Sequence, residues 1–131
     1  MIEDVRAAAD IFRPIYDASS GVDGFVSIEV GPAIADDTES TISMARELHL
    51  RCDRPNVMVK IPATAAGLPA IRQMISEGRN TNITLIFSVD RYSQVVEAYM
   101  WGLEELHNKG GDLSRVASVA SFFVSRVDSK I

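Results

Sequence analysis

Apolar and polar positions in this chain repeat with two periods, one typical of helices and the other of strands. A helical spacing joins five residues near the start: Ile2, Val5, Ala9, Phe12 and Tyr16. Short runs rich in Val and Ile follow, and helical patterns separate them. The pattern predicts strands over 25–30, 56–61, 82–87 and roughly 117–124.

Strands that alternate with helices indicate a parallel sheet covered by helices, so the fold class is α/β. Equivalent positions, such as Glu29 and Lys60, lie roughly 30 residues apart, which is one eighth of a TIM (β/α)8 barrel of about 250 residues. A doubly wound open sheet gives a similar pattern and stays open as an alternative. With about four strands, we expect residues 1–131 to form half a barrel, truncated at both ends.

Polar residues at the starts of two helical patterns suggest where those helices begin. Thr38 is the expected N-cap of the helix after the first strand. Ser88 or Asp90 should cap the helix that extends to about His107. In the third strand, alternation predicts that Asn82 and Thr84 share one face. The same alternation assigns Ile83, Leu85 and Phe87 to the opposite face.

Composition narrows the range of partners. The net charge is −5, and an acidic surface repels phosphate backbones and anionic membranes, so we expect neither as a partner. One cysteine, Cys52, excludes an internal disulfide, and with two histidines it makes a Cys/His metal site implausible. The start of the chain carries acidic residues and lacks a signal-peptide core. We therefore expect a cytoplasmic protein without a metal.

Lys60 is the strongest candidate for chemistry, because it lies at the end of an apolar strand, where barrel enzymes place reactive groups. Burial lowers the pKa of an amine, and a neutral amine can add to a carbonyl to form a Schiff base. The alternative is a lysine that reaches solvent from the strand end.

Four other polar residues could complete a site, and each has a simpler reading. Glu29 could orient a water and relay protons, or be a surface glutamate. Thr84 could hold the same water, or simply suit a strand. Asn82 could bond a substrate hydroxyl, or bond a loop. Arg126 could bind a phosphate, or pair with Asp128 on the surface.

Four segments together resemble the transaldolase family. They are SIEVGPAIADDTEST at 27–41, NVMVKIPATAAGLPAI at 56–71, NTNITLIFS at 80–88 and SVASFFVSR at 118–126. Their order and spacing are similar to those of the third to sixth barrel strands of that family, and the likeness is greatest to the longer bacterial, actinobacterial-type members. The resemblance covers nearly the whole chain.

The resemblance implies a barrel that transfers a dihydroxyacetone unit between sugar phosphates in the pentose phosphate pathway. It assigns the Schiff base to Lys60 and the catalytic water to Glu29 and Thr84. It further implies that Asn82 and Ser121 contact sugar hydroxyls and that Arg126 binds phosphate. No cofactor is implied, because the lysine itself supplies the electron sink.

The resemblance also implies parts that this chain lacks, above all an aspartate on the family's first strand that acts as general acid/base. Two functions follow: an enzyme, either a transaldolase or a fructose 6-phosphate aldolase, or an inactive half barrel. A half barrel exposes strand edges and interior side chains such as Ile83 and Leu85. We therefore expect self-association through the open edges.

Overall fold

The computed structural model describes residues 1–122, in which helices and strands alternate. In chain order the elements are α1 Ile2–Ala18, β1 Val26–Glu29, a 3-10 helix Pro32–Ile34, α2 Thr38–Cys52, β2 Val57–Pro62, α3 Gly67–Ser76, β3 Thr81–Ile86, α4 Val89–Asn108 and β4 Ser118–Phe122. The first three strands begin and end within one residue of the predicted positions. Within residues 1–122, no helix combines the length and the apolar character that crossing a bilayer requires.

In the described part of the chain the sheet has four parallel strands in the order β1-β2-β3-β4, so each strand pairs with its neighbour in the sequence. A doubly wound sheet would reverse its strand order at a switch point, and the described strands do not. The prediction of an α/β fold built from parallel (β/α) units is therefore confirmed. The arrangement is that of half a barrel, consistent with a piece of a TIM barrel.

Side chains divide between the two faces of the sheet. Val59, Ile61 and Ile83 point toward the helices, and each is at most 2% exposed. Ile28 lies in the same core. The other face, called here the inner face, carries Lys60 and the polar residues that alternate with this core. The expectation that Ile83 would be an exposed interior residue is wrong, because its side chain packs under the helices.

The cap of α2 differs from the prediction. Asp37, not Thr38, is the N-cap: its Oδ1 accepts a hydrogen bond from the backbone N–H of Ser40 at 3.1 Å. Thr38 begins the helix, and its hydroxyl donates to the carbonyl of Ala66 at 2.6 Å. A carboxylate at the N-cap accepts a hydrogen bond from an otherwise unpaired backbone N–H, and its negative charge interacts favourably with the positive end of the helix dipole.

Leu85 interrupts the alternation of β3. Its φ is +58°, in the left-handed region, and the pairing with β4 shifts between Ile83 and Ile86. Such a bulge inserts one extra residue. Ile83 and Ile86 therefore both face the helices, while Leu85 is 42% exposed beside Thr84. The prediction that Leu85 shares the face of Ile83 is wrong.

Two asparagines tie the amino-terminal ends of the strands together. Asn56, just before β2, donates to the carbonyls of Ala9 at 2.8 Å and Gly24 at 3.0 Å. Asn80, just before β3, donates to Pro55 at 3.1 Å and accepts from the backbone N–H of Ala117 at 2.9 Å. Both asparagines are buried, so these bonds satisfy backbone groups that water cannot reach.

A half-buried histidine, His49, and a half-buried glutamate, Glu77, lie near this same end of the sheet. Burial, and then the charge of Arg79, lower the pKa of His49 to about 4. Its Nε2 atom is buried without a hydrogen-bond partner in the described part of the chain. Burial alone would raise the pKa of Glu77, yet hydrogen bonds from Arg46, Gln73 and Arg79 lower it to about 2.

Helices α3 and α4 approach closely at Gly102. A Cβ added there would lie 2.7 Å from Cβ of Ile75 and 2.8 Å from the carbonyl oxygen of Arg72. Neither atom can move without disturbing α3. The missing side chain is therefore what lets these two helices pack at this distance.

We predict that Gly102→Ala lowers the free energy of unfolding by about 1–2 kcal/mol, because overpacking outweighs the gain in helix propensity. Urea denaturation measures the change. Gly31→Ala is the matched control, since a Cβ at Gly31 meets no atom within 4 Å. A Gly102→Ala chain as stable as the Gly31→Ala chain would contradict the packing described.

We predict that the free energy of unfolding falls as pH is lowered from 6.5 toward 4, by up to about 3 kcal/mol. In this window the unfolded chain protonates His49 and the folded chain does not, so the unfolded state binds more protons. Urea denaturation between pH 7 and 5.5 stays above the range in which Glu77 titrates, because its ordinary pKa in the unfolded chain is 4.5. His49→Gln should flatten the profile, whereas His107→Gln, at an exposed position, should leave the slope unchanged.

Candidate active site

Three polar side chains stand in a row at the carboxyl ends of the strands. Backbone pairing sets Glu29 of β1 opposite Lys60 of β2, and Lys60 opposite Asn82 of β3. Paired residues of neighbouring strands project to the same face of a sheet. The three side chains therefore belong to the inner face, at the end of the sheet where parallel barrels carry their sites.

A cleft of about 250 Å³ opens at this end of the sheet. Its lining residues come from all four strands and the loop after β1: Glu29, Val30, Gly31, Ala35, Lys60, Pro62, Thr84, Leu85 and Ser121. The cleft thus brings together Lys60, Glu29 and Thr84, together with Ser121. Asn82 reaches the same group through its bond to Ser121.

Lys60 is half-buried, and Glu29 is exposed at the end of β1. The Lys60 ammonium makes no hydrogen bond or ion pair within residues 1–122. Met58, two residues before Lys60 and therefore on the same face of β2, is 3% exposed. The amine therefore stands at the mouth of the inner face, with the carboxylate of Glu29 on one neighbouring strand and the hydroxyl of Thr84 on the other.

The asparagine of the site links three strands. Asn82 Nδ2 donates to Ser27 Oγ on β1 at 3.1 Å, and the hydroxyl of Ser121 on β4 donates to Asn82 Oδ1 at 3.1 Å. The bond to Ser27 passes over β2, although strands two apart are separated by about 10 Å. Short side chains meet over that distance only if the inner face is concave, as in a barrel wall.

Side chains at the cleft rim join the loop after β1 to the loop after β2. The hydroxyl of Thr64 donates to the carbonyl of Ala35 at 2.7 Å. The bond from Thr38 to Ala66 runs in the opposite direction, from the first residue of α2 to the loop after β2. Ala35 lines the cleft, so these two bonds hold its wall in place.

Sequence reasoning missed two residues of this region. Ser27 lies two positions before Glu29 on an alternating strand, so the same period that selected Glu29 could have selected Ser27. Leu85 gave no such signal, because a bulge brings it to the cleft. Arg126, the predicted phosphate ligand, lies outside the described residues. Among residues 1–122, no group of three or more His, Cys, Asp or Glu side chains is arranged to hold a metal ion.

Fold and cleft define a parallel α/β protein with a lysine-centred polar site at the carboxyl ends of its strands. A model of the transaldolase/fructose-6-phosphate aldolase family matches residues 1–131. The chain belongs to this family, and the resemblance inferred from the four sequence segments is confirmed.

Several curated transaldolases are close relatives. Transaldolase 1 of Streptomyces avermitilis is 62% identical over 128 residues, which are 98% of this chain and 34% of that protein. The transaldolase of Acidothermus cellulolyticus is 59% identical over 128 residues, again 98% of this chain and 34% of that protein. Transaldolase 2 of Nostoc punctiforme is 57% identical over 126 residues, 96% of this chain and 33% of that protein. The chain therefore spans about a third of the length of these relatives.

Proposed function

We propose that this chain carries the Schiff-base site of a transaldolase, with Lys60 as the amine that attacks a ketose phosphate. The reaction transfers a dihydroxyacetone unit from sedoheptulose 7-phosphate to glyceraldehyde 3-phosphate, giving erythrose 4-phosphate and fructose 6-phosphate. This is a step of the pentose phosphate pathway, carried out in the cytoplasm.

One observation carries the proposal: Lys60, Glu29, Thr84 and Ser121 line a single cleft at the carboxyl ends of parallel strands. A carbonyl bound in that cleft would have an amine, a carboxylate and two hydroxyls around it. These are the groups that iminium formation requires, namely a nucleophile, a proton relay and donors that orient the substrate. The names of the close relatives support the same reaction.

The chemistry begins with addition of the Lys60 amine to the C2 ketone. The resulting carbinolamine loses water and becomes an iminium ion. When the C4 hydroxyl gives up its proton to a base, the C3–C4 bond breaks and its electron pair moves into the iminium, leaving an enamine and releasing an aldehyde. The enamine then attacks the acceptor aldehyde, and hydrolysis frees the new ketose. The iminium itself accepts the electrons, so no organic cofactor or metal is needed.

Each remaining site residue has a role in this scheme. Glu29 and Thr84 hold the water that leaves the carbinolamine and returns in hydrolysis. Asn82 and Ser121 contact hydroxyls of the sugar chain, and Arg126 binds the phosphate. The resemblance assigns the base for the C4 hydroxyl to an aspartate of the family's first strand, so the chain alone should form the iminium more readily than it completes the transfer.

A fructose 6-phosphate aldolase is the nearest alternative, since the matching family includes both activities. An aldolase releases free dihydroxyacetone, whereas a transaldolase retains the unit until an acceptor arrives. An assay with fructose 6-phosphate, with and without an acceptor aldehyde, distinguishes the two activities.

We predict that borohydride reduction in the presence of fructose 6-phosphate attaches the sugar covalently to Lys60. Peptide mapping by mass spectrometry locates the adduct. A six-carbon adduct reports iminium formation alone, and a three-carbon adduct reports cleavage as well. Glu29→Gln should slow trapping by about 10²–10⁴-fold, the usual contribution of a positioned acid/base group.

Lys109→Arg is the matched control, because Lys109 is exposed at the end of α4 and should not affect trapping. Lys60→Arg should abolish the adduct, since guanidinium remains protonated. Equal labelling of Lys60 and Lys109, or a folded chain without adduct, would contradict the proposal.

The open edges of the sheet favour a second behaviour, self-association as a half barrel. Within residues 1–122, β1 pairs only with β2, and β4 only with β3. Unpaired edges attract other strands. Two apolar side chains near the β4 edge are also open to solvent, Val119 at 48% and Leu85 at 42%. A second copy of the chain could cover both features.

We predict that the chain forms dimers or larger species in analytical ultracentrifugation. Val119→Lys should weaken association by about tenfold or more, because pairing would bury an unpaired charge. Leu50→Lys adds the same charge at an exposed position on α2 and serves as the control. A monodisperse monomer across the accessible concentration range would refute self-association and leave the Schiff-base proposal untouched.

A further inference from the structure

Ser27 has no role in the proposed reaction, yet it holds one of the site residues. Its Oγ accepts the hydrogen bond from Asn82 Nδ2, at 3.1 Å. The other end of the same amide accepts from Ser121 at 3.1 Å. Asn82 is therefore anchored at both ends, by a hydroxyl on β1 and a hydroxyl on β4.

The path of the Ser27 bond brings it next to Lys60 on the inner face. Ser27 pairs with Met58 on β2, and Asn82 pairs with Lys60 on β2. The bond from Ser27 to Asn82 therefore crosses the inner face of β2 diagonally, between Met58 and Lys60. On the inner face the bond therefore has Lys60 on one side and Met58, which is buried, on the other.

The hydrogen bonds of Asn82 to Ser27 and Ser121 leave one donor and one acceptor free to bind a ligand. The side-chain amide nitrogen of Asn82 carries two hydrogens, and one of them is donated in the hydrogen bond to Ser27. The hydroxyl hydrogen of Ser121 is directed to Asn82, so the Ser121 oxygen keeps its lone pairs for the cleft. One donor on Asn82 and one acceptor on Ser121 remain, on two residues that are bonded to each other, and a single hydroxyl group has the donor and the acceptor to satisfy both.

We propose that Ser27 is a positioning residue, which orients the amide of Asn82 so that Asn82 and Ser121 bind one hydroxyl of a ketose attached to Lys60. This inference rests on the function proposed for the cleft. Ser27 itself does not line the cleft and acts only through Asn82. Without its hydroxyl, the amide of Asn82 can rotate about its last side-chain bond.

Three variants test the role of Ser27. Ser27→Ala removes the hydroxyl, and Ser27→Thr restores one at the same position. Ser118→Ala is the matched control: Ser118 makes a side-chain hydrogen bond of 3.0 Å to Thr81 on the helix face of the same sheet. The Ser118→Ala variant therefore loses one side-chain hydrogen bond, as Ser27→Ala does, but at a position away from the cleft.

The first measurement is hydrogen exchange of the Asn82 side-chain amide by NMR, with Asn82→Asp used to assign its signals. Ser27→Ala should speed exchange by about tenfold, because the amide loses its anchor, while Ser118→Ala should not change the exchange rate.

The second measurement is the dependence of borohydride trapping on fructose 6-phosphate concentration. Ser27→Ala should raise the half-saturating concentration by about tenfold, the size of one lost hydrogen bond. The maximal trapping rate of Ser27→Ala should stay within about threefold of that of the parent chain. Ser27→Thr should restore the amide exchange rate and the half-saturating concentration to the parent values.

Distinct results separate this inference from the function on which it rests. If the unsubstituted chain forms no adduct, the proposed function fails, and the role of Ser27 toward a ketose fails with it. If adduct forms but Ser27→Ala leaves amide exchange or half-saturation unchanged, the role of Ser27 alone is overturned. Equal losses in Ser27→Ala and Ser118→Ala would also overturn it, since that result marks general destabilisation.

Discussion

The in-register pairing of β1, β2 and β3 is the constraint on which both core and site depend. Backbone hydrogen bonds align Glu29, Lys60 and Asn82 in one row. Because side chains alternate between faces, a shift of one residue would turn Lys60 toward the helices and expose Ile61. Burial of the apolar face therefore resists any slip of register, and the same free energy that stabilises the core keeps the lysine on the inner face.

The two ends of the sheet are built differently. At the amino-terminal ends, Asn56 and Asn80 are buried and bond to backbone groups, and His49 is held in its neutral form by burial. At the carboxyl ends, Lys60 and Glu29 are open to a cleft and make no ion pair with each other within the described part of the chain. Polar groups thus serve stability at one end and remain available to a ligand at the other, the usual division in parallel barrels.

Curvature connects the family assignment to the geometry of the site. The Asn82 side chain reaches across β2 to Ser27, which a flat sheet would not allow. That concave inner face is what gathers residues of four strands around one amine. The matched relatives are about three times as long as this chain. Within residues 1–122, β1 and β4 are the outermost strands of the sheet.

Much of the architecture could be predicted from local sequence. The periods of two and 3.6 residues identified the strands and helices, and the apolar run around Lys60 singled out that residue as the candidate for chemistry. Alternation also predicted that Asn82 and Thr84 share one face of the third strand, because side-chain direction along a regular strand depends only on position; the pairing of Lys60 with Asn82 then showed that this is the face of Lys60. The prediction of the α2 N-cap was wrong: Thr38 and Asp37 are both suitable N-cap residues, and in the structure the backbone has the extended N-cap conformation at Asp37.

What the sequence by itself determined was the set of elements and the identity of the polar residues at their ends. Only the tertiary structure decided the strand order, the bulge that brings Leu85 to the cleft, and the bond that joins Ser27 to Asn82. The physical reason is the separation along the chain of the residues that each feature involves. Periodicity records which face of one element is buried, whereas strand order, register shifts and bonds across the sheet depend on residues far apart in the chain, whose contacts form together only when the core closes.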